Sequence, residues 1–187
     1  MTLLILGLIV WTVAHSAKAV APGARAALDR SLGAGPARGV MAALILVGLV
    51  LIIVGFRRAP FVPVYDPAPW AIHLNNLLMV VAVLLLGLGH SKSRAKGWLR
   101  NPMLTAVVVW AVAHLLVNGD QASLVMFGWL GLWAVLDIVM IDARGPAWVR
   151  PTGGTVAGDV RWVVISAVVF AVIVGIHTWL GYPPFPG

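Results

Sequence analysis

Histidine is the residue type in this chain that is best suited to chemistry. Four of the five histidines lie within or at the edge of long apolar stretches: His15, His73, His114 and His177. Ionisable groups at membrane depth are costly, so each is a functional candidate. Neutral imidazoles suit a porphyrin iron, which takes one or two axial nitrogens. Zinc and copper are less favoured, since no carboxylate or thiolate accompanies the histidines dependably. For each histidine alone, a hydrogen bond to a neighbouring helix is the alternative.

Residue types that are missing narrow the chemistry further. The sequence has no cysteine and no glutamate, its six acidic residues all being aspartate. Disulfides, thiolate metal centres and covalent c-type haem are therefore excluded. No Ser/His/Asp hydrolase constellation is recognisable either.

Tryptophans accompany one of the histidines at helical spacing. Trp110 lies four residues before His114, which places both on one face of a helix. Trp129, Trp133 and Asp137 continue this spacing further along the chain. The indoles could line a flat ligand such as a porphyrin or a polyene, or they could pack the interior. Asp137 could pair with Arg144 or take part in a proton path.

The composition shows what kind of element must hold these residues. The 187 residues are 61% hydrophobic and 10% charged, with a mean hydropathy of +0.99. A soluble domain carries about 25% charged residues, so soluble, disordered and disulfide-rich classes are excluded. The chain is predicted to be an integral membrane protein.

Uncharged runs predict an all-α bundle of six transmembrane helices in one domain, residues 1–187. About 20 apolar residues cross a bilayer core as a helix. Helices are predicted near 2–20, 40–57, 70–90, 102–118, 122–141 and 160–181, the fifth being weakest because it contains Asp137. We expect the first helix to be retained rather than cleaved as a signal peptide. Gly119 is expected to end the fourth helix with a positive φ, and Asp120 to cap the fifth.

The basic residues predict the orientation. Three loops, on one side of the predicted bundle, hold eleven of the thirteen Lys and Arg residues. These loops are therefore expected in the cytoplasm, with both termini on the outer, periplasmic side of a bacterial inner membrane. The net charge of +7 is then explained by topology and contact with anionic lipid, without a nucleic-acid partner. His73, His114 and His177 are expected at similar depth near the outer side, with His15 deeper.

Several strings give the chain a family resemblance over essentially its whole length. They are His15-Ser16, Trp70-Ala-Ile-His73, Arg100-Asn101-Pro102 and, above all, Ala113-His114-Leu-Leu-Val-Asn118-Gly119-Asp120. With these strings the chain resembles the NnrU-domain family. That family includes bacterial proteins linked to nitric-oxide and denitrification metabolism. Its plant relative is 15-cis-ζ-carotene isomerase, a membrane enzyme that uses haem b.

The resemblance implies a cofactor and its ligands. His15 and His114 match the histidines implicated in haem ligation in the isomerase, whereas a third family histidine is replaced by Asn101. We therefore expect haem b with His114 as an axial iron ligand, followed in rank by His15, His73 and His177.

The implied function is redox-linked isomerisation of a polyene-like lipid, or a role in nitric-oxide and denitrification metabolism. The alternative is a non-catalytic accessory or assembly protein for a respiratory membrane complex. A transporter is disfavoured, since no inverted repeat with helix breaks at matched positions is evident.

Overall fold

The computed structural model describes residues 1–185, and these are organised almost entirely as helices. A 3-10 turn at Arg94–Trp98 lies between the fourth and fifth of seven α-helices. The helices are α1 Thr2–Val20, α2 Pro22–Leu32, α3 Ala34–Arg58, α4 Ala71–Leu88, α5 Pro102–Val117, α6 Gln121–Arg144 and α7 Val156–Trp179. Within residues 1–185 there is no β-strand, only an isolated bridge between Pro63 and Asp120. The all-helical prediction is confirmed.

The six predicted helices correspond to α1 and α3–α7. Two short elements were not predicted, namely helix α2 and the 3-10 turn at Arg94–Trp98. The 11-residue helix α2 has Pro22 in its first turn and ends at Gly33, whose φ of +84° suits glycine. Helix α3 begins at Ala34, six residues earlier than predicted, and Arg38 bonds back to the Ala34 carbonyl oxygen at 3.0 Å. Arg38 therefore limits the apolar run at its start, but the helix itself begins four residues earlier, at Ala34.

Five helices are long and apolar enough to cross a membrane: α1, α3, α4, α6 and α7. Helix α5 is apolar but has only 16 residues, or about 24 Å at the usual helical rise, against a hydrocarbon core of about 30 Å. Five such helices indicate a multi-pass membrane protein. The fifth predicted helix, 122–141, is the weakest prediction because it contains Asp137. The structure nevertheless has an unbroken helix of 24 residues there, α6.

Large apolar side chains on the outside of the helices fit contact with lipid. On α7, Val160, Val163 and Ile165 are each about half exposed or more, and they point in different directions around the helix. A helix that is apolar around its whole circumference suits a hydrocarbon environment rather than water.

The chain forms two compact units. Unit 1 comprises residues 1–65 and 120–129, and unit 2 comprises residues 66–119 together with residues from 130 onward. The boundary at 129/130 lies within α6.

Unit 1 is built on close antiparallel packing of α1 against α3. A Cβ atom at Gly7 would lie 2.6 Å from the backbone nitrogen of Ile52, and one at Gly48 would lie 2.8 Å from the backbone nitrogen of Trp11. Gly55 lies in the same way against the backbone of Leu4. Small residues let helix backbones approach closely, which is the main way that membrane helices gain packing energy.

The start of α6 is fixed within unit 1. The Asp120 carboxylate accepts a hydrogen bond from the Ser123 backbone N–H at 3.0 Å and another from the Ser123 hydroxyl, which confirms the predicted cap. Partial burial raises the pKa of the Tyr65 phenol, and the negative charge of Asp120 raises it further.

The prediction for Gly119 was wrong: the positive-φ glycines of residues 1–185 are Gly33, Gly153 and Gly181. Helix α5 instead ends with Asn118 in an extended conformation.

Unit 2 packs α4 antiparallel to α7. The Trp162 indole N–H donates to the Leu84 carbonyl oxygen at 2.8 Å, while Asn76 donates to the Pro184 carbonyl oxygen at 2.9 Å. Higher residue numbers in α7 thus meet lower numbers in α4. The first turn of α4 and the segment after α7 consequently lie at the same end of unit 2.

Polar contacts hold the opposite end of unit 2. The Asp159 carboxylate accepts hydrogen bonds from the Ser93 hydroxyl at 2.7 Å, the Arg94 backbone N–H at 2.8 Å and the Arg94 guanidinium at 2.6 Å. Asp142 accepts from the Asn101 amide at 3.0 Å and pairs with Arg100 at 3.2 Å. These two aspartates attach the loop before α5 to α7 and to α6.

Candidate functional site

His114 lies in the last turn of α5 with its side chain half-buried. Its Nδ1 atom is 2.9 Å from the backbone carbonyl oxygen of Trp110. A carbonyl oxygen can only accept, so Nδ1 carries the hydrogen and the lone pair of the neutral ring is on Nε2. The Trp110 ring packs against the imidazole with centroids 5.1 Å apart and an interplanar angle of 51°. Metal-ligating histidines typically donate their other ring N–H in this way, which fixes tautomer and orientation.

His177 has the same local arrangement near the end of α7. Its Nδ1 donates to the Ile173 carbonyl oxygen at 2.8 Å, and the side chain is half-buried. The imidazole is close enough to His114 for the two rings to interact electrostatically. The structure therefore brings two of the predicted site histidines to one end of unit 2.

The first turns of α4 complete this end of the unit. His73 is exposed there, while Asn75 is buried. The Asn75 amide donates to the Asn76 side-chain oxygen at 3.0 Å, yet its own Oδ1 has no hydrogen-bond partner among residues 1–185. A buried acceptor without a partner costs free energy and calls for an explanation such as a ligand or a water. We refer to His73, Asn75, Asn76, His114 and His177 as the histidine end of unit 2.

His15 belongs to unit 1 and is exposed on α1. Its Nδ1 donates to the Trp11 carbonyl oxygen at 3.0 Å, so the neutral ring again has its lone pair on Nε2. The Trp11 and His15 rings are in contact in a tilted arrangement, with centroids 3.7 Å apart and an interplanar angle of 32°.

A repeated hexapeptide, which the sequence analysis missed, explains why His15 and His114 look alike. Residues 10–15 and 109–114 both read Val-Trp-x-Val-Ala-His. The repeat is less than two helical turns long, so it does not make the two helices alike over their whole length. In both copies the histidine bonds the carbonyl of the tryptophan four residues earlier and packs against its ring.

The remaining polar candidates have structural contacts. The Trp129 indole N–H donates to the Thr12 hydroxyl at 2.9 Å, and Trp133 is only 9% exposed, which favours packing over a ligand-lining stripe. Asp137 is half-buried, and within the described part of the chain no ion pair joins it to Arg144. Asn101, at the family's third histidine position, bonds Asp142.

The histidines can be compared with what a bare metal ion and a porphyrin iron each require. Among residues 1–185 no group of three or more His or Asp side chains could hold a metal ion. An iron in a porphyrin already has four nitrogen ligands and needs only one or two imidazoles. His15, His114 and His177 each have Nε2 as the lone-pair nitrogen, so each is electronically suited to that role.

Comparison with known proteins identifies one family. The family model described as NnrU protein matches residues 3–184, nearly the whole chain and parts of both units. No curated protein and no solved structure matches the chain.

Proposed function

The chain belongs to the NnrU family, and from that premise we propose that it binds haem b in the membrane with His114 as an axial ligand. The observation that carries the proposal is the bond from His114 Nδ1 to the Trp110 carbonyl oxygen at 2.9 Å. This bond leaves Nε2 as the ligating atom and fixes the plane of the ring. When bound, haem would supply a redox-active iron.

Three features of the histidine end of unit 2 support this proposal. His114 is half-buried, so its surroundings are less polar than water. His177 offers a second imidazole in the same unit with the same tautomer. Asn75 offers a buried acceptor without a protein partner among residues 1–185, suited to a donor on a bound ligand or water. His73 is a further candidate ligand in unit 2, and His15 is a separate candidate in unit 1.

We propose that the bound haem serves redox-linked isomerisation of a polyene-like lipid, or nitric-oxide metabolism, in a bacterial inner membrane. The apolar helices favour a substrate that dissolves in lipid or a small uncharged gas. The histidine end of unit 2 contains no carboxylate, so proton transfer there would fall to the imidazoles, and its other residues would position the substrate and exclude water.

The primary test is an absorption spectrum of the purified protein with and without dithionite. The four variants are His15→Ala, His73→Ala, His114→Ala and His177→Ala. We expect a haem band in the wild-type protein, its loss in His114→Ala and its loss or shift in one further variant. His90→Ala is the matched control, because His90 is exposed beyond the end of α4. A band retained in all four variants would reject histidine ligation.

A second test separates the two reactions. The reduced protein in lipid nanodiscs is mixed with a cis-polyene, and the isomers are separated by chromatography. The same preparation is titrated with nitric oxide while the haem band is followed. Turnover of the polyene that is lost in His114→Ala supports isomerisation. A spectral response to nitric oxide without polyene turnover supports the nitrogen-oxide role. No response to either compound favours an accessory protein.

A further inference from the structure

A cavity of about 260 Å³ lies within unit 1, between α1, α2 and α3. Its polar wall is formed by His15, Lys18, Arg25 and Arg38, one or two from each helix. The lining also includes apolar side chains, among them Met41 and Ile45 of α3. The cavity is therefore lined by both basic and apolar side chains.

The basic wall has more positive charge than its neighbours neutralise. Arg25, which is 8% exposed, forms an ion pair with Asp29 one turn later on α2. Lys18 and Arg38 have no carboxylate within ion-pair distance in the part of the chain that the structure describes. The cavity therefore has a surplus of two positive charges.

The geometry of Arg38 leaves it able to bind an anion. Its Nε–H donates to the Ala34 carbonyl oxygen at 3.0 Å, which uses one of the five N–H donors of the guanidinium. Arginine with lysine is the pairing that proteins use to bind phosphate, through charge-assisted hydrogen bonds.

The size and position of the cavity indicate what kind of phosphate it takes. Its volume lies below the ~300–1,000 Å³ of pockets that enclose drug-sized ligands, so it suits a headgroup rather than a whole macrocycle. Both α1 and α3 are long and apolar enough to span a membrane. The cavity lies where their apolar stretches meet the basic residues, the level at which lipid phosphates are found.

We propose that this cavity binds the phosphate of a phospholipid with a net negative headgroup, such as phosphatidylglycerol. Lys18 and Arg38 hold the phosphate oxygens, the Arg25–Asp29 pair closes the polar wall, and Met41 and Ile45 contact the first carbons of the lipid. This site does not depend on haem binding at His114.

The test is native mass spectrometry of the delipidated protein titrated with phosphatidylglycerol or phosphatidylcholine. The test variant is the double substitution Lys18→Gln and Arg38→Gln. Its matched control is Arg57→Gln and Arg58→Gln, which removes the same charge from the other end of α3, where both side chains are exposed. We expect the test variant to bind phosphatidylglycerol at least about tenfold more weakly, and the control to bind within about twofold of wild type.

Further titrations of the same kind distinguish a lipid phosphate from free inorganic phosphate. Wild-type protein is expected to prefer phosphatidylglycerol to phosphatidylcholine and to keep it in excess inorganic phosphate. If the double variant does not fold, the single variants Lys18→Gln and Arg38→Gln are each expected to weaken binding.

Four results would overturn the proposal: equal weakening in the test and control variants, no preference between the two lipids, displacement by phosphate alone, or one-for-one displacement by haemin. The last result would assign the cavity to the carboxylates of a porphyrin. Because the titration uses haem-free protein, loss of the haem band in His114→Ala leaves its outcome unchanged.

Discussion

His114 is held by Trp110 through two separate contacts, a 2.9 Å hydrogen bond from Nδ1 to the backbone carbonyl and a ring contact with centroids 5.1 Å apart. The first contact does not depend on the tryptophan side chain, whereas the second does. Substitutions at the two positions should therefore have different effects on a bound haem.

Replacing Trp110 by Leu should preserve haem binding and change the environment of the imidazole. The carbonyl bond persists, so Nε2 remains the ligating atom, but the packing of the indole is lost. We expect a full complement of haem with a shifted band or reduction potential, measured by redox titration of the purified protein. Complete loss of haem in Trp110→Leu, as expected for His114→Ala, would contradict this division of roles.

Substituting Gly48 by Ala should destabilise unit 1. The new Cβ would lie 2.8 Å from the backbone nitrogen of Trp11, so the two helix backbones must separate. Overpacking of this kind costs about 1–3 kcal/mol. Gly39→Ala, on the same helix with nothing within 4 Å of the new Cβ, should be neutral or stabilising by up to about 1 kcal/mol through helix propensity.

Thermal unfolding of the two glycine variants in one detergent gives the comparison. A lower unfolding temperature for Gly48→Ala alone would support close packing of α1 and α3. Equal unfolding temperatures would show that these helices do not pack through Gly48.

Replacing Asp159 by Ala should free the loop before α5. Its carboxylate accepts three hydrogen bonds from Ser93 and Arg94, which hold the loop against the first turn of α7. Limited trypsin digestion should then cut after Arg94 and Lys96 several-fold faster than in the wild-type protein. Asp66→Ala removes an exposed carboxylate from another loop and should leave the cleavage rate unchanged. Similar rates in all three proteins would mean that the loop is held by other contacts.

Asn101→Ala should reduce stability without affecting haem. The Asn101 amide donates to Asp142 at 3.0 Å, and loss of one such bond costs about 1 kcal/mol. A normal haem band with a slightly lower unfolding temperature is the expected result. Loss of the band would show that this position still serves the cofactor although it is no longer histidine.

The sequence predicted the membrane helices well because lipid imposes a simple rule. A charge-free run of about 20 residues must form a helix, so α1, α4 and α6 begin within a residue or two of their predicted starts. Helix α2 escaped prediction because it is short, polar and defined by Pro22 and Gly33 rather than by hydropathy. The start of α3 was placed late because Arg38 was treated as lying outside the helix.

The candidate site was predictable in its residue types but not in its contacts. His73, His114 and His177 were expected at one depth, and the structure places them at one end of unit 2. The bond from each of His15, His114 and His177 to the carbonyl four residues earlier depends on side-chain rotamers, which hydropathy does not report. The basic cavity in unit 1 depends on α2, the helix that the sequence did not predict.

The glycine contacts between α1 and α3 have a consequence for the cavity at the other end of the same helix pair. Gly7, Gly48 and Gly55 bring the two backbones together, and further along the same two helices Lys18 and Arg38 line the cavity. The close contact of the two backbones at the glycines therefore helps to set the distance between α1 and α3 at the cavity. A side chain inserted at Gly7 would be felt by a headgroup about 16 Å away along α1, at the helical rise of about 1.5 Å per residue. If the cavity binds a lipid as proposed, substitutions at these glycines are expected to change both the stability of the unit and its lipid affinity.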